Sequence, residues 1–310
     1  MKIIFFGLGS IGKRHASLLK HHFNHELYAF RHKKGNKNDL GIEEVYSWKE
    51  VEDLNPDVAF ITNPTSLHVK TAIKCAEMGI DLFMEKPLSN SYEGVPELEK
   101  IVKENNIKIY TAYCLRFHSV IKWLKEYLED KEPLHINAAC TSFLPEWREN
   151  SGKKSYSEFK DMGGGVILDL SHEIDYLYYL FGEMDILKAS YAKMSDVTMD
   201  SEDFSDILFK FKKGFFANLH LNFLSYLKRR EIIINCKYET IKGDFIDNSI
   251  TIIREDDEEF IQFDEKKNDM YFKQLEYFFD NIESDNIMNG LKESLEIFEI
   301  IMRVKQEGKN

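Results

Sequence analysis

The 310-residue chain is poor in cysteine, has no excess of basic charge and contains no long apolar run. Its four cysteines, Cys75, Cys114, Cys140 and Cys236, are scattered and form no Cys-x-x-Cys pair. That spacing argues against a zinc site or a disulfide framework and suits a reducing, cytoplasmic compartment. Acidic residues outnumber basic ones, 53 to 41, for a formal charge of −12. Nucleic acid and anionic membrane surfaces are therefore not the expected partners. No stretch reaches the roughly 18 apolar residues of a membrane-spanning helix. The chain opens on a strand pattern rather than a basic region with a signal core, so no export signal is expected. There is no internal repeat and no low-complexity linker. What is present, 43% hydrophobic and 30% charged residues, fits about two globular domains.

The most informative stretch is the first. Lys2 to Phe6 is an apolar run of strand character. It leads into Gly7-Leu8-Gly9-Ser10-Ile11-Gly12, after which a helical pattern runs to His22, with Ile11, Leu18 and Leu19 as its buried side. Strand, glycine turn and helix in that order, with the G-x-G-x-x-G spacing, is the arrangement expected to bind a dinucleotide pyrophosphate, a glycine turn without a ligand being the alternative. Gly7 allows the tight turn, Gly9 lets the backbone approach the phosphates, and Gly12 lets the helix lie close on the strand. The free N–H groups and positive end of the helix dipole face the anion. Histidines 15, 21, 22 and 25 follow without carboxylate or thiol neighbours in sequence, and they read as surface histidines rather than metal ligands.

Leu27 to Arg31 reads as the second strand. An NAD-preferring unit carries a carboxylate near this strand's end for the ribose 2′-hydroxyl. Here the sequence is Phe30-Arg31-His32-Lys33-Lys34. Arg31 and Lys33 would pair with a 2′-phosphate, so NADP(H) is expected in preference to NAD(H), with NAD and a merely solvated basic loop as the alternatives. Ser47-Trp48-Lys49-Glu50 is a capping box opening a short helix. Asp57 to Thr62 is a buried-type strand ending in the turn Asn63-Pro64. A helix from Thr65 to Met78, stopped by Gly79, and a strand from Ile80 to Met84 follow. Strands alternating with helices imply a parallel sheet, whose ligands lie at the strands' carboxyl ends. One of those ends carries Glu85-Lys86-Pro87. A lysine there could stabilise negative charge on a substrate oxygen; a surface ion pair reads from the same residues. Glu93 to Asn105 continues as helix and Ile107 to Ala112 as strand. The domain boundary is placed near His118, giving a dinucleotide-binding domain over 1–118 and a substrate and oligomerisation domain over 119–310.

The second part reads as a helix from His118 to Glu129 and then mostly strands. Ile207 to Phe211 and Phe215 to Phe223 form a hairpin pattern around Lys212-Lys213-Gly214. Ala217, Leu219, Leu221 and Phe223 face one side, while Asn218, His220 and Asn222 face the other, so His220 reads as a sheet-face residue. Strands are also expected at Ile232 to Cys236, Glu239 to Lys242 and Ile250 to Arg254. The acidic run Glu255 to Glu259 reads as a solvated turn, and Met270 to Ile282 and Gly290 to Lys305 as helices. Between lies Gly163-Gly164-Gly165-Val166-Ile167-Leu168-Asp169-Leu170-Ser171-His172. The glycines bring backbone close to something, and Asp169 and His172, three apart, are expected on one helical face. A histidine beside a carboxylate can take and return a proton near neutrality; a surface His–Asp pair is the plain alternative. Trp147, Arg148 and the segment Lys153-Lys154-Ser155-Tyr156-Ser157 would suit a polyhydroxylated or phosphorylated ligand; an exposed loop is the plain alternative.

Taken together, the glycine turn, Asn63-Pro64-Thr65-Ser66-Leu67-His68, Glu85-Lys86-Pro87, Tyr113-Cys114-Leu115-Arg116-Phe117-His118 and Gly-Gly-Gly-x-x-x-Asp-x-x-His resemble the Gfo/Idh/MocA oxidoreductases over essentially the whole chain. The resemblance implies an α/β protein: a Rossmann doubly wound parallel sheet, then an α+β domain on a large, open, mostly antiparallel sheet that pairs subunits into a homodimer or homotetramer. It implies an NAD(P)-dependent dehydrogenase or reductase acting on the CH–OH group of a sugar, nucleotide-sugar or cyclitol. By position it assigns catalysis to Lys86, His172 and Asp169, with His172 taking the hydroxyl proton and Lys86 stabilising the alkoxide. Cofactor contacts fall on Gly7, Leu8, Gly9, Ser10, Ile11 and Gly12, on Arg31 and His32, on Thr62, Asn63, Pro64 and His68, and on Glu85, Lys86 and Arg148. Substrate contacts fall on Lys86, Arg116, Trp147, Tyr156, Asp169 and His172. No metal is implied. The chain departs from the pattern in two places: the aspartate stands three rather than four residues before the histidine, and Cys114 replaces a common asparagine. A lyase or glycosidase that recycles NAD(H), and a non-catalytic dinucleotide sensor, are the alternative functions.

Overall fold

The computed structural model of the chain describes residues 1–35, 37–148 and 156–308. The first elements are β1 (Lys2–Phe6), α1 (Ser10–His22), β2 (Glu26–Phe30), β3 (Glu43–Val45), α2 (Trp48–Leu54), β4 (Val58–Ile61), α3 (His68–Glu77), β5 (Asp81–Met84), α4 (Val95–Glu104) and β6 (Ile109–Thr111). There follow α5 (Ser119–Tyr127), β7 (Pro133–Phe143), α6 (Val166–Asp169), α7 (His172–Phe181), β8 (Met184–Ala192), β9 (Phe204–Phe211), β10 (Phe216–Asn222) and β11 (Leu224–Cys236). Then come β12 (Thr240–Asp244), β13 (Ser249–Ile253), β14 (Glu258–Gln262), α8 (Asp269–Asn281) and α9 (Leu291–Glu307). The chain divides into two compact units: Met1–Tyr113 with Tyr271–Phe298, and Cys114–Met270 with Glu299–Asn310.

The first unit is built on a six-stranded parallel sheet in the order β3-β2-β1-β4-β5-β6. Ile3, Ile4 and Phe5 of β1 and all of β4 are fully buried, as expected of parallel strands covered on both faces. The order reverses between β2 and β4, on either side of β1, which is the switch point where such sheets bind ligands. Ser47 caps α2 by accepting from the Glu50 N–H at 3.2 Å, and Glu50 accepts in turn from the Tyr46 N–H at 2.9 Å. Residues 271–298, which the sequence reading placed in the second domain, pack in this unit. Phe278 and Leu275 of α8 are fully buried, and the Phe278 ring lies edge-on to Phe83 at 5.1 Å. The Thr111 N–H donates to the Asn289 carbonyl at 2.9 Å, so the returning chain also closes the backbone beside β6.

The second unit is built on an eight-stranded sheet in the order β14-β13-β12-β11-β7-β10-β9-β8, antiparallel except for the β7–β10 pair. The expected alternation in β10 is present: Ala217, Leu219 and Leu221 are buried, and His220 stands on the other face with its Nδ1 2.6 Å from Asp206. Four differences from the sequence reading have simple causes. β3 is only three residues long and β8 carries little apolar alternation. In β7, every residue from Ala138 to Ser142 is buried, so it shows no two-residue period. Glu258 and Glu259, read as part of a solvated turn, open β14 as exposed edge-strand residues, a common place for charge. Among the described residues no helix is long and apolar enough to cross a membrane.

Candidate functional site

In the first unit, three turns stand at the carboxyl ends of the neighbouring strands β1, β4 and β5. The first is the glycine turn. Gly7 has φ +115°, and a Cβ there would lie 2.7 Å from the Asn63 backbone nitrogen. A Cβ on Gly12 would lie 2.1 Å from the Gly7 carbonyl oxygen and 2.7 Å from Thr62 Oγ1. Both glycines are thus required by backbone-to-backbone approach. Gly9 differs: nothing lies within 4 Å of where its Cβ would be. It opens α1 without a side-chain cap, and the first turn of the helix contains no acidic residue. Among the described residues the first N–H donors of α1 therefore have no side-chain acceptor, the requirement for holding a pyrophosphate. Leu8 and Ile11 are half-buried and Ser10 is exposed, while Thr62 Oγ1 donates to the Gly7 carbonyl at 2.5 Å and fixes the turn to β4.

The second and third turns are tied together by His68. Its Nδ1 is 3.0 Å from the Pro87 carbonyl oxygen and its Nε2 is 3.0 Å from that of Asn63. Carbonyls only accept, so a neutral ring can donate to one of the two. Burial nonetheless pushes the imidazole pKa down, outweighing the pull of both carbonyls. His68 is thus a buried bracket, linking Asn63-Pro64 to Glu85-Lys86-Pro87. Asn63 Nδ2 donates to Thr71 Oγ1 at 2.9 Å. The Lys86–Pro87 peptide is cis and Lys86 is half-buried. Glu85 holds a second buried histidine: His15 Nε2 donates to its carboxylate at 2.7 Å. His15 is fully buried, edge-on to Phe83 at 5.1 Å, which corrects its reading as a surface residue. It sits three positions beyond Gly12, on the inner face of α1, whereas His21 and His22 are exposed and His25 half-buried.

Beyond β2, the Arg31 N–H donates to the Val45 carbonyl at 2.9 Å. Phe30 is level with Phe6 in the sheet, so Arg31 follows beside Gly7. Its Nη1 lies 4.0 Å from Glu44 Oε1. The sequence reading found no carboxylate here, because Glu44 arrives from β3, thirteen positions further along the chain. His32 is exposed.

In the second unit, the glycine run serves the protein itself. The N–H groups of Gly163, Gly164 and Gly165 donate to the carbonyls of Lys160, Phe159 and Ser157. Gly165 has φ +116°, and its Cβ would lie 2.5 Å from Glu202 Oε1, a carboxylate paired with Lys305 at 3.1 Å. The close approach is therefore to Glu202. α6 ends at Asp169 and α7 begins at His172, with Leu170 and Ser171 between. The expected shared helical face is thus corrected to two short helices meeting at a break. Asp169 is buried.

The start of α7 is anchored by two ion pairs that the sequence did not reveal. Glu173, fully buried, lies 2.6 Å from Arg230 Nε. Burial alone would lower the Arg230 pKa; the Glu173 carboxylate more than offsets this and holds it up. Asp175 Oδ1 accepts from Arg116 Nη2 at 2.7 Å, and Arg116 Nε is 3.1 Å away. Both side chains of that pair have no exposed surface. Arg116 lies in the interior of this unit against α7. Cys114 is buried in the same turn. Trp147 is 42% exposed, its Nε1 donating to Ser142 Oγ at 3.1 Å, so its ring is held yet reachable. The Arg148 and Tyr156 side chains and residues 149–155 lie outside the described residues. Among the described residues, no group of three or more His, Cys, Asp and Glu could hold a metal ion.

The sequence matches the NAD-binding Rossmann fold of the Gfo/Idh/MocA oxidoreductase family over residues 1–113 and the C-terminal domain of that family over residues 124–242. It is 29% identical over 196 residues to a myo-inositol 2-dehydrogenase of Thermotoga maritima, covering 59% of this chain and 55% of that protein. It is 22% identical over 213 residues to a 2,7-anhydro-N-acetylneuraminate hydratase of Mediterraneibacter gnavus, covering 67% of this chain and 55% of that protein. The chain thus spans about half the length of these curated relatives. A solved UDP-N-acetylglucosamine 3-dehydrogenase from Acidithiobacillus ferrooxidans shares the fold, with a TM-score of 0.80 at 17% identity over 99% of this chain and 97% of that one. With matches to both domains and both sheets as the family has them, the chain belongs to the Gfo/Idh/MocA oxidoreductases.

Proposed function

We propose that the chain is an NAD(P)-dependent oxidoreductase that moves a hydride between nicotinamide and the carbinol or carbonyl carbon of a sugar, nucleotide-sugar or cyclitol. The observation that carries this reading is the open start of α1 at Gly9, set beside a lysine turn braced by His15 and His68. The turn fits a dinucleotide: Gly7 and Gly12 admit no side chain, and the helix supplies donors that no acid of its own occupies. Gly7 to Gly12 would hold the pyrophosphate and Arg31 the adenosine ribose end, with NADP(H) preferred over NAD(H). When bound, the nicotinamide supplies the hydride acceptor or donor.

The remaining chemistry is assigned to side chains. His172 takes the hydroxyl proton as the carbon is oxidised and returns it in reduction. Lys86 is assigned to stabilise negative charge on a substrate oxygen. Asp169 orients the imidazole, and Trp147 borders the substrate. Arg116 contributes by holding α7 through Asp175. The test is a screen of sugars, cyclitols and nucleotide-sugars with each cofactor, followed by nicotinamide absorbance. With a substrate found, H172A is expected to lower kcat by about 10²–10⁴ while the dinucleotide Kd stays near its wild-type value. Unchanged kcat would remove His172 from the reaction.

The similarity to a hydratase favours a second reading, in which hydride transfer is internal and the cofactor is regenerated within each turnover. Cofactor that stays bound through gel filtration, and turnover without net change in nicotinamide absorbance, would select it. Pairing of subunits through the eight-stranded sheet is also proposed, to be read from the mass in solution by light scattering.

A further inference from the structure

We infer that Glu44 is a specificity-determining residue: its charge, set behind Arg31, limits how strongly the chain favours a phosphorylated dinucleotide over an unphosphorylated one. The inference rests on the reading of Arg31 as the group that meets the 2′ position of the adenosine ribose.

The geometry makes Glu44 a fixed charge. Its Oε1 accepts from Asn38 Nδ2 at 2.9 Å and from the Asn38 N–H at 3.1 Å, and its Oε2 accepts from the Tyr46 hydroxyl at 2.7 Å. Asn38 is itself locked, its amide bonded to the backbone of Leu40 and Ile42. These hydrogen bonds, those from Asn38 and Tyr46 foremost, hold the Glu44 pKa below the usual carboxylate range. The side chain is 7% exposed and that of Arg31 is 36% exposed. The arginine therefore faces solvent with the carboxylate behind it.

At 4.0 Å, Arg31 and Glu44 are an ion pair without a close hydrogen bond. The guanidinium keeps its donors for an incoming anion, but the anion meets a pair whose net charge is near zero. A ribose hydroxyl carries no charge and is indifferent to that cancellation. A phosphate of nearly two negative charges is not. Glu44 thus weakens binding of the phosphorylated form selectively, without touching it. Lys33, Lys34 and Lys37, all exposed on the following loop, still draw the phosphate in.

The test measures Kd for NAD⁺ and for NADP⁺ by titration of the purified chain. E44Q keeps the shape and an acceptor for Asn38 while removing the charge. It is expected to tighten NADP⁺ about tenfold, or 1.4 kcal/mol, and to leave NAD⁺ within about twofold. R31Q is expected to weaken NADP⁺ selectively, and in R31Q/E44Q the gain from E44Q should shrink, because the two charges act through each other. Y46F keeps the charge and removes one hydrogen bond; its ratio of the two Kd values should stay near wild type. If R31Q weakens NADP⁺ but E44Q does not tighten it, or Y46F shifts the ratio as much as E44Q, the inference is overturned and the reading of Arg31 stands. If R31Q changes neither affinity, or neither dinucleotide binds, the reading of the site falls and takes this inference with it.

Discussion

The N-termini of α1 and α7 stand in opposite electrostatic states. α1 opens on Gly9 with no capping side chain and no acid in its first turn. α7 opens with Glu173 and Asp175, both buried and each paired with an arginine. Every helix start presents unsatisfied N–H groups and the positive end of a dipole. Neither start has a side-chain cap, but the first turn of α7 carries acidic side chains at the dipole's positive end and that of α1 carries none. A glycine-rich approach accompanies both helices, since Gly165 precedes α6 just ahead of α7. What separates a ligand site from a structural turn is therefore what already occupies the space: open space above Gly9, and the Glu202 carboxylate against Gly165.

Gly12 is where the open start of α1 is most easily destroyed. In G12A the new methyl would have to sit 2.1 Å from a backbone oxygen, which no side-chain rotation relieves. The expected outcome is loss of dinucleotide binding together with destabilisation of about 4 kcal/mol or more, visible as a lowered urea midpoint. An intact midpoint and normal NAD⁺ affinity would mean the turn is looser than its geometry. The matching break in α7 is R116M, which leaves Asp175 buried without its guanidinium. About 3–5 kcal/mol of stability should be lost, and R116M/D175L should recover much of it. A single variant as stable as wild type would show the pair to be dispensable.

A milder change makes the start of α1 resemble that of α7. Ser10 is exposed and is the first residue of α1. S10D gives α1 the acid that α7 already has. The helix should gain about 0.3–1 kcal/mol from the dipole, while NAD⁺ and NADP⁺ both bind some tens-fold more weakly. Stability and affinity moving in opposite directions is the signature of a start kept open for a ligand; both falling together would point to simple damage.

The same contrast governs what the sequence disclosed. The glycine turn is contiguous, and each glycine has a local steric duty, so Gly7, Gly9 and Gly12 could be read directly. β1 and β4 announced themselves as unbroken apolar runs because both their faces are covered. The partners of Arg116, Arg230 and His15 lie 59, 57 and 70 residues away. No periodicity marks such pairs, since a buried charge is chosen by what faces it and not by its own neighbours. The break at Leu170 and Ser171 was hidden too, because the three-residue spacing fits one continuous helix as well as two. β7 escaped because a central strand of small buried residues shows neither alternation nor a strongly apolar run.

The smallest expected effect concerns His68, the bracket between the second and third turns. Burial depresses its pKa below the ordinary value of 6.5, so the folded state holds a neutral ring. Above pH 6.5 the imidazole is neutral in both states and the bracket carries no penalty. As the pH falls below 6.5, the unfolded chain takes up a proton that the folded chain refuses, and stability falls. The slope is at most about 1.4 kcal/mol per pH unit, and it ends at the depressed folded value. Urea midpoints of wild type and H68N between pH 7.5 and 5 isolate this contribution, because the asparagine does not titrate there. The difference in stability between the two proteins should narrow as the pH falls. A constant difference would mean that the two carbonyl oxygens hold the ring's proton as well as water does, and that His68 is charged beside Lys86 after all.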